Sequence, residues 1–218
     1  MRRAATGDVE QQRTERGLDR LVNFTDATVA IAITVLVLPL VDLATDIEHE
    51  SLHDLFDENR AAVFGFTVTF FVIARLWVAH HRIFETVADY DAGLIWWSFL
   101  WLFSIVTLPF AANVLSNLED ESDVAVFGLY IGTIFAATAT MLGSEWHLKR
   151  HPELRRPEAP DLDLTVGLVM AAFALAALVI AVTVPAIGLW ALLLLVLTSP
   201  VHRVVRTVRD RPPTAPER

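Results

Sequence analysis

Residues 20–40 read RLVNFTDATVAIAITVLVLPL. The stretch opens with Arg20, Asn23, Thr25, Asp26 and Thr28, then runs apolar to Leu40, interrupted only by Thr34 and Pro39. Its length suits one bilayer crossing, since about 20 helical residues cover a hydrocarbon core of ~30 Å. An ordinary spanning helix is apolar throughout, whereas this one has an ionisable first turn and a hydroxyl-bearing middle. On a helix, Phe24, Ala27, Thr28, Ile31, Thr34, Val35 and Leu38 share one face at spacings of three and four. That face mixes polar groups with branched apolar side chains. It suits either the wall of a narrow pore or packing against other helices.

The composition agrees with a membrane location. Of 218 residues, 54% are hydrophobic, and long uncharged runs at that proportion point to a polytopic membrane protein. There are no cysteines, which excludes disulfides, thiolate metal sites and a cysteine nucleophile. The formal charge of −9 matters less than where the charges sit. Residues 1–19 hold Arg2, Arg3, Arg13 and Arg16 without an apolar run, so no signal peptide is expected and the first apolar run is retained.

Five further apolar segments are expected at about 60–81, 92–115, 124–146, 162–184 and 187–205. Pro185 and Gly188 suit a tight turn between the last two. The loops alternate in charge. Residues 42–59 and 116–123 are acidic and hold no Lys or Arg, while of 17 basic residues only Arg60 and Arg75 lie outside the segments on the opposite side. The positive-inside rule then places both termini in the cytoplasm, and six crossings require both termini on one side. The acidic loops could concentrate cations by their field, or simply be solvated.

The same residues carry a family resemblance. Arg20, Phe24, Thr25, Asp26, Ala30, Ile31, Thr34 and Leu38 form a pattern that resembles the first-helix signature of the transmembrane-protein-175 family, potassium channels of bacteria, archaea and animal lysosomes. The family's Phe-Ser-Asp is Phe-Thr-Asp here, which keeps the hydroxyl and adds a methyl. The second segment ends Trp77-Val-Ala-His80-His81-Arg82-Ile-Phe84, similar to the end of the family's second helix. There the resemblance implies that Trp and His hold the polar start of the first helix by hydrogen bonds.

Asp26 needs a partner or water, because a carboxylate at the centre of a span costs at least ~2.5 kcal/mol on insertion scales. The expected structural network comprises Arg20, Phe24, Thr25, Asp26, Trp77, His80 and His81. Adjacent histidines point about 100° apart on a helix and do not readily share a metal. The remaining histidines (His49, His53, His147, His151 and His202) fall in loops or at segment ends, so no metal or haem is expected. Gly128-Leu-Tyr-Ile-Gly132 superficially resembles a carbonyl filter, but it lies inside a continuous apolar run and reads as a helix-packing face. No nucleophile elbow, His-Glu-x-x-His or phosphate loop appears, so no enzyme is indicated. The short basic clusters read as topology determinants and lipid contacts rather than nucleic-acid sites.

The expectation is an all-α polytopic membrane protein with six transmembrane helices per subunit, the first lining a central pore. Residues 1–19 would form a cytoplasmic segment, 20–205 the channel domain and 206–218 a cytoplasmic tail. The resemblance implies a homotetramer in the plasma (cell inner) membrane that conducts potassium ions without a cofactor. Carried over by position, Ile31, Thr34 and Leu38 would face the pore, with Val35 sharing the task. A ring of Ile31 side chains could gate by dewetting. The rival reading is a proton-coupled secondary transporter using Asp26 or His80, against which the lack of an inverted repeat counts.

Overall fold

The computed structural model describes residues 2–44, 57, 59–117 and 123–184. Among these residues the regular structure is helical: α1 (Arg2–Val35), α2 (Leu38–Ala44), α3 (Arg60–Phe84), α4 (Ala92–Ser116), α5 (Val124–Arg150), a 3-10 turn (Pro152–Leu154) and α6 (Leu164–Thr183). Among the described residues, five stretches are long and apolar enough to cross a membrane: Glu15–Asp42, Arg60–Phe84, Ala92–Ser116, Val124–Arg150 and Leu164–Thr183. The chain is therefore a multi-pass helical membrane protein. The sixth expected span, 187–205, the tail at 206–218 and most of the acidic loop at 42–59 lie outside the described residues.

Local chemistry explains where the later helices start. Asp91 Oδ1 accepts from the Leu94 amide at 2.8 Å, Asp123 Oδ1 from Ala125 at 2.9 Å and Asp163 Oδ1 from Thr165 at 3.1 Å. In each case an Asp satisfies an amide that the first helical turn leaves without a partner.

α1 differs from expectation at both ends. It begins at Arg2 and passes residue 20 without a break, because the Ala, Glu, Gln and Arg that dominate residues 2–20 are good helix formers. At its other end the helix stops at Val35, and Leu36 and Val37 form a turn before α2. Pro39 accounts for this: it has no N–H to offer the Val35 carbonyl, and its ring crowds that oxygen. Leu38 therefore stands at the start of α2, beyond the turn, and not on α1 with Ile31 and Thr34.

α4 and α5 form the centre of the bundle, with Trp101, Ile105 and Leu108 of α4 and Ile131, Ile134 and Ala137 of α5 all buried. α6 packs along α5, and its buried positions are Ala174, Ala177 and Ala181. Gly128 and Gly132 do face α6, but loosely: a Cβ on them would sit 3.8 Å from Val182 and Leu178 respectively. Gly143 is the closer approach, where a Cβ would fall 2.4 Å from the Trp97 ring. α3 joins α5 through a buried bond between Thr69 Oγ1 and the Tyr130 hydroxyl at 3.0 Å.

At one end of the bundle two loops are stitched together. The amides of Ala88 and Asp89 donate to Leu154 O at 2.8 and 3.1 Å, and Arg156 N donates to Thr86 O at 2.9 Å. Arg156 Nε also donates to Val87 O at 3.1 Å, and Val87 is fully buried in the join. The clamp sets the start of α4 beside the end of α5.

Candidate functional site

α1 divides into two faces. Leu18, Thr25, Val29, Ala32 and Leu36 are buried, and their spacings of seven, four, three and four define the side that packs inside the subunit. The opposite side stays open: Phe24 is 52% exposed, Ile31 62%, Val35 43% and the post-turn Leu38 53%. Thr34 is exposed on that same side. A branched apolar and hydroxyl-bearing surface is thus left uncovered along the middle of a membrane helix.

The hydroxyls are arranged in a definite sense. Thr34 Oγ1 donates to Ile31 O at 2.7 Å, and Thr28 Oγ1 donates to Phe24 O at 2.8 Å. A hydroxyl whose proton is committed to the backbone keeps its oxygen lone pairs for something else. Thr34 can therefore offer an oxygen, rather than a proton, to whatever lies against α1.

Near the start of this face, Trp77 Nε1 donates to Asp26 Oδ1 at 2.8 Å, joining α3 to α1. The partly buried carboxylate thereby gains a charge-assisted bond. His81 extends the group by stacking on Trp77 with ring centroids 5.3 Å apart. Thr25, almost wholly buried, returns its proton to Leu21 O at 2.9 Å. Phe24 instead points outward and meets the Phe99 ring at 6.0 Å.

Two residues expected in this network occupy other settings. His80 is buried in an aromatic stack, 3.9 Å from the Trp101 ring and 4.5 Å from Phe84, and its Nε2 has no hydrogen-bond partner among the described residues. Arg20 is exposed. The motif's spacing could not separate a histidine that bonds to α1 from one that packs against α4.

A second polar group forms at the loop clamp. His147 Nε2 lies 2.9 Å from both Oδ1 and Oδ2 of Asp91, and His151 Nδ1 lies 2.9 Å from Glu153 Oε1. Burial alone would raise the Asp91 pKa. The Leu94 amide bond, together with the hydrogen bond and charge of His147, outweighs it and holds Asp91 below the usual range. Asp91 and His147 are 56 residues apart, so sequence reading had no means of pairing them. The one available signal was the four-residue spacing of His147 and His151.

Residues 20–109 match the model of the family described as the endosomal/lysosomal potassium channel TMEM175. A potassium channel of Streptomyces collinus is 29% identical over 140 residues, covering 63% of this chain and 68% of that one. A potassium channel of Chamaesiphon minutus is 30% identical over 136 residues, covering 62% of this chain and 66% of its own. The rat endosomal/lysosomal proton channel TMEM175 is 26% identical over 153 residues, which is 67% of this chain but only 30% of that protein. In three dimensions the chain is similar to the crystal structure of a lysosomal potassium-selective channel TMEM175 homolog from Chamaesiphon minutus. The TM-score is 0.56 at 23% identity, covering 84% of this chain and 98% of that one.

Proposed function

We propose, from the premise that this chain belongs to the TMEM175 family, that it is a potassium-permeable cation channel whose pore is lined by α1. The observation that carries this reading is the open face of α1, where Ile31, Thr34 and Val35 are exposed while the opposite face packs inside the subunit. One subunit has a single α1 and cannot surround an axial pore. A closed homotetramer, with four copies of this face turned to a common axis, would cover it.

In such a ring Ile31 is the apolar constriction and Thr34 the oxygen layer beside it, with Leu38 following beyond the turn. A narrow apolar ring disfavours water and with it a hydrated ion, so it gates by dewetting. Thr34 hydroxyls, their protons held by Ile31 O, offer oxygen to partly dehydrated cations. Side-chain selection of this kind needs neither a carbonyl filter nor a cofactor, and the ions it handles are the permeant ones. The charge pattern supports cytoplasmic termini for a channel of the plasma membrane.

A proton-conducting reading is favoured by one observation: the rat relative is named a proton channel. The bacterial relatives, matched over a larger share of their length, are named potassium channels, and potassium is therefore placed first. The coupled-transporter reading would need Asp26 or His80 free to exchange a proton with substrate. Asp26 accepts from Trp77 and His80 is stacked between rings, settings that suit helix packing better.

The test is current through purified protein in a planar bilayer. The reversal potential should follow the potassium gradient, stay put when a pH gradient is imposed, and shift when sodium replaces potassium on one side. A reversal potential that tracks pH and ignores potassium would sink the potassium reading. Native mass spectrometry from mild detergent should give four subunits; a conducting monomer would remove the ring.

A further inference from the structure

The cluster at the loop clamp has the chemistry of a metal site. Asp91, His147 and His151 each present a ligand atom, and the three atoms lie within 4.8 Å of one another. Two atoms bound to a tetrahedral zinc ion at about 2.0 Å stand roughly 3.3 Å apart. The Asp91–His147 contact of 2.9 Å would open by only a few tenths of an ångström to admit one. His147 and His151 sit one helical turn apart at the end of α5, a spacing that lets two imidazoles reach one ion.

The surroundings favour a cation. The last turn of α5 presents backbone carbonyls and the negative end of the helix dipole. Asp91 is held in place by its bond from the Leu94 amide. Glu153 adds a second carboxylate beside His151, and carboxylates in that position orient metal-bound imidazoles. Gly93 clears space for the cluster, since a Cβ there would lie 2.4 Å from His147 Cε1. The side chains of Asp91 and His151 are 37% and 43% exposed, so an ion can enter from solvent.

We infer that Asp91, His147 and His151 bind a divalent first-row transition metal, with zinc the best match to a two-imidazole, one-carboxylate set. The remaining coordination position is left to water. The ion would pin the start of α4 to the end of α5 at the clamp between the two loops. This inference does not depend on what the α1 face does.

The experiment titrates cobalt(II), as a visible stand-in for zinc, into the full chain purified in detergent without a polyhistidine tag. The expected result is a saturable visible absorption band at one cobalt per subunit, abolished by added zinc. Asp91→Asn and His151→Asn should each weaken binding by at least about tenfold, because even residues outside the first coordination shell cost that much at metal sites. His151→Asn alters a half-exposed side chain at the helix cap, and an unchanged gel-filtration profile verifies that the fold is kept. A parent protein without a saturable band overturns the assignment, as does cobalt binding in both variants as tight as in the parent.

Discussion

Trp77 Nε1 and Asp26 Oδ1, 51 residues apart in sequence, are joined by a 2.8 Å hydrogen bond that ties the second membrane helix to the first. Trp77→Phe keeps an aromatic ring and removes the donor, leaving a partly buried carboxylate unsatisfied. The expected cost is about 1–3 kcal/mol. Asp26→Asn retains an acceptor and should cost less. Both should lower the thermal unfolding temperature of the assembled protein more than they move its bi-ionic reversal potential. A stable Asp26→Asn assembly with a large change in ion preference would instead place Asp26 beside the permeating ions.

The α1 face can be tested one position at a time. Thr34→Val removes an oxygen at nearly constant volume and should reduce preference for potassium over sodium. Ile31→Asn wets the constriction and should raise conductance severalfold while admitting sodium more freely. The measurement is the reversal potential under bi-ionic potassium and sodium, together with single-channel conductance. If neither variant differs from the parent in conducting protein, α1 does not select the ion.

Glycines that look alike in sequence should respond differently to substitution. Gly143→Ala drives a methyl into the Trp97 ring, and overpacking of that kind costs about 1–3 kcal/mol. Gly128→Ala and Gly132→Ala meet their neighbours at ordinary contact distance. They should be neutral, or stabilising by up to ~1 kcal/mol through helix propensity. Thermal unfolding of the three variants decides the matter, and an unaltered Gly143→Ala would mean that Trp97 moves aside.

Asp91 gives the fold an acid-sensitive cap. Its pKa is lower in the folded state than in the unfolded one. The resulting stability is therefore fully present above the unfolded value of ~3.9 and is lost as pH falls through the folded value. Asp91→Ala removes the N-cap of α4, which should cost about 0.5–2 kcal/mol at neutral pH. The variant's unfolding temperature should also change less than the parent's between pH 4 and pH 3. Parallel curves for the two proteins over that window would show that the cap carries no acid dependence.

Much of the architecture was legible from hydropathy alone. The spans expected at about 60–81, 92–115, 124–146 and 162–184 correspond to Arg60–Phe84, Ala92–Ser116, Val124–Arg150 and Leu164–Thr183. α3 and α5 run on past the apolar residues because a helix need not end where its hydrophobic stretch does. The same reasoning explains α1, whose polar first half was read for its charge and not for its helix-forming residues. At the candidate pore face the periodicity was readable through Val35. Pro39 was visible too, but that it ends the helix at Val35 and leaves Leu38 on a separate one required the backbone. The cluster at Asp91, His147 and His151 was out of reach, because it depends on a loop–loop clamp through buried Val87 that no local pattern announces.

The turn at Leu36 and Val37 also bears on how a pore built from α1 would move. Two rings of side chains on one rigid rod must widen or narrow together. Here Ile31 stands on one segment and Leu38 on the next, with a joint between them where Pro39 has removed the connecting hydrogen bond. In the proposed pore, a Leu38 ring would tilt about that joint while an Ile31 ring stayed fixed by Val29 and Ala32, both buried in the subunit. Such a conduit would behave as two valves in series, one fixed and one hinged, and its conductance would follow whichever of the two is shut.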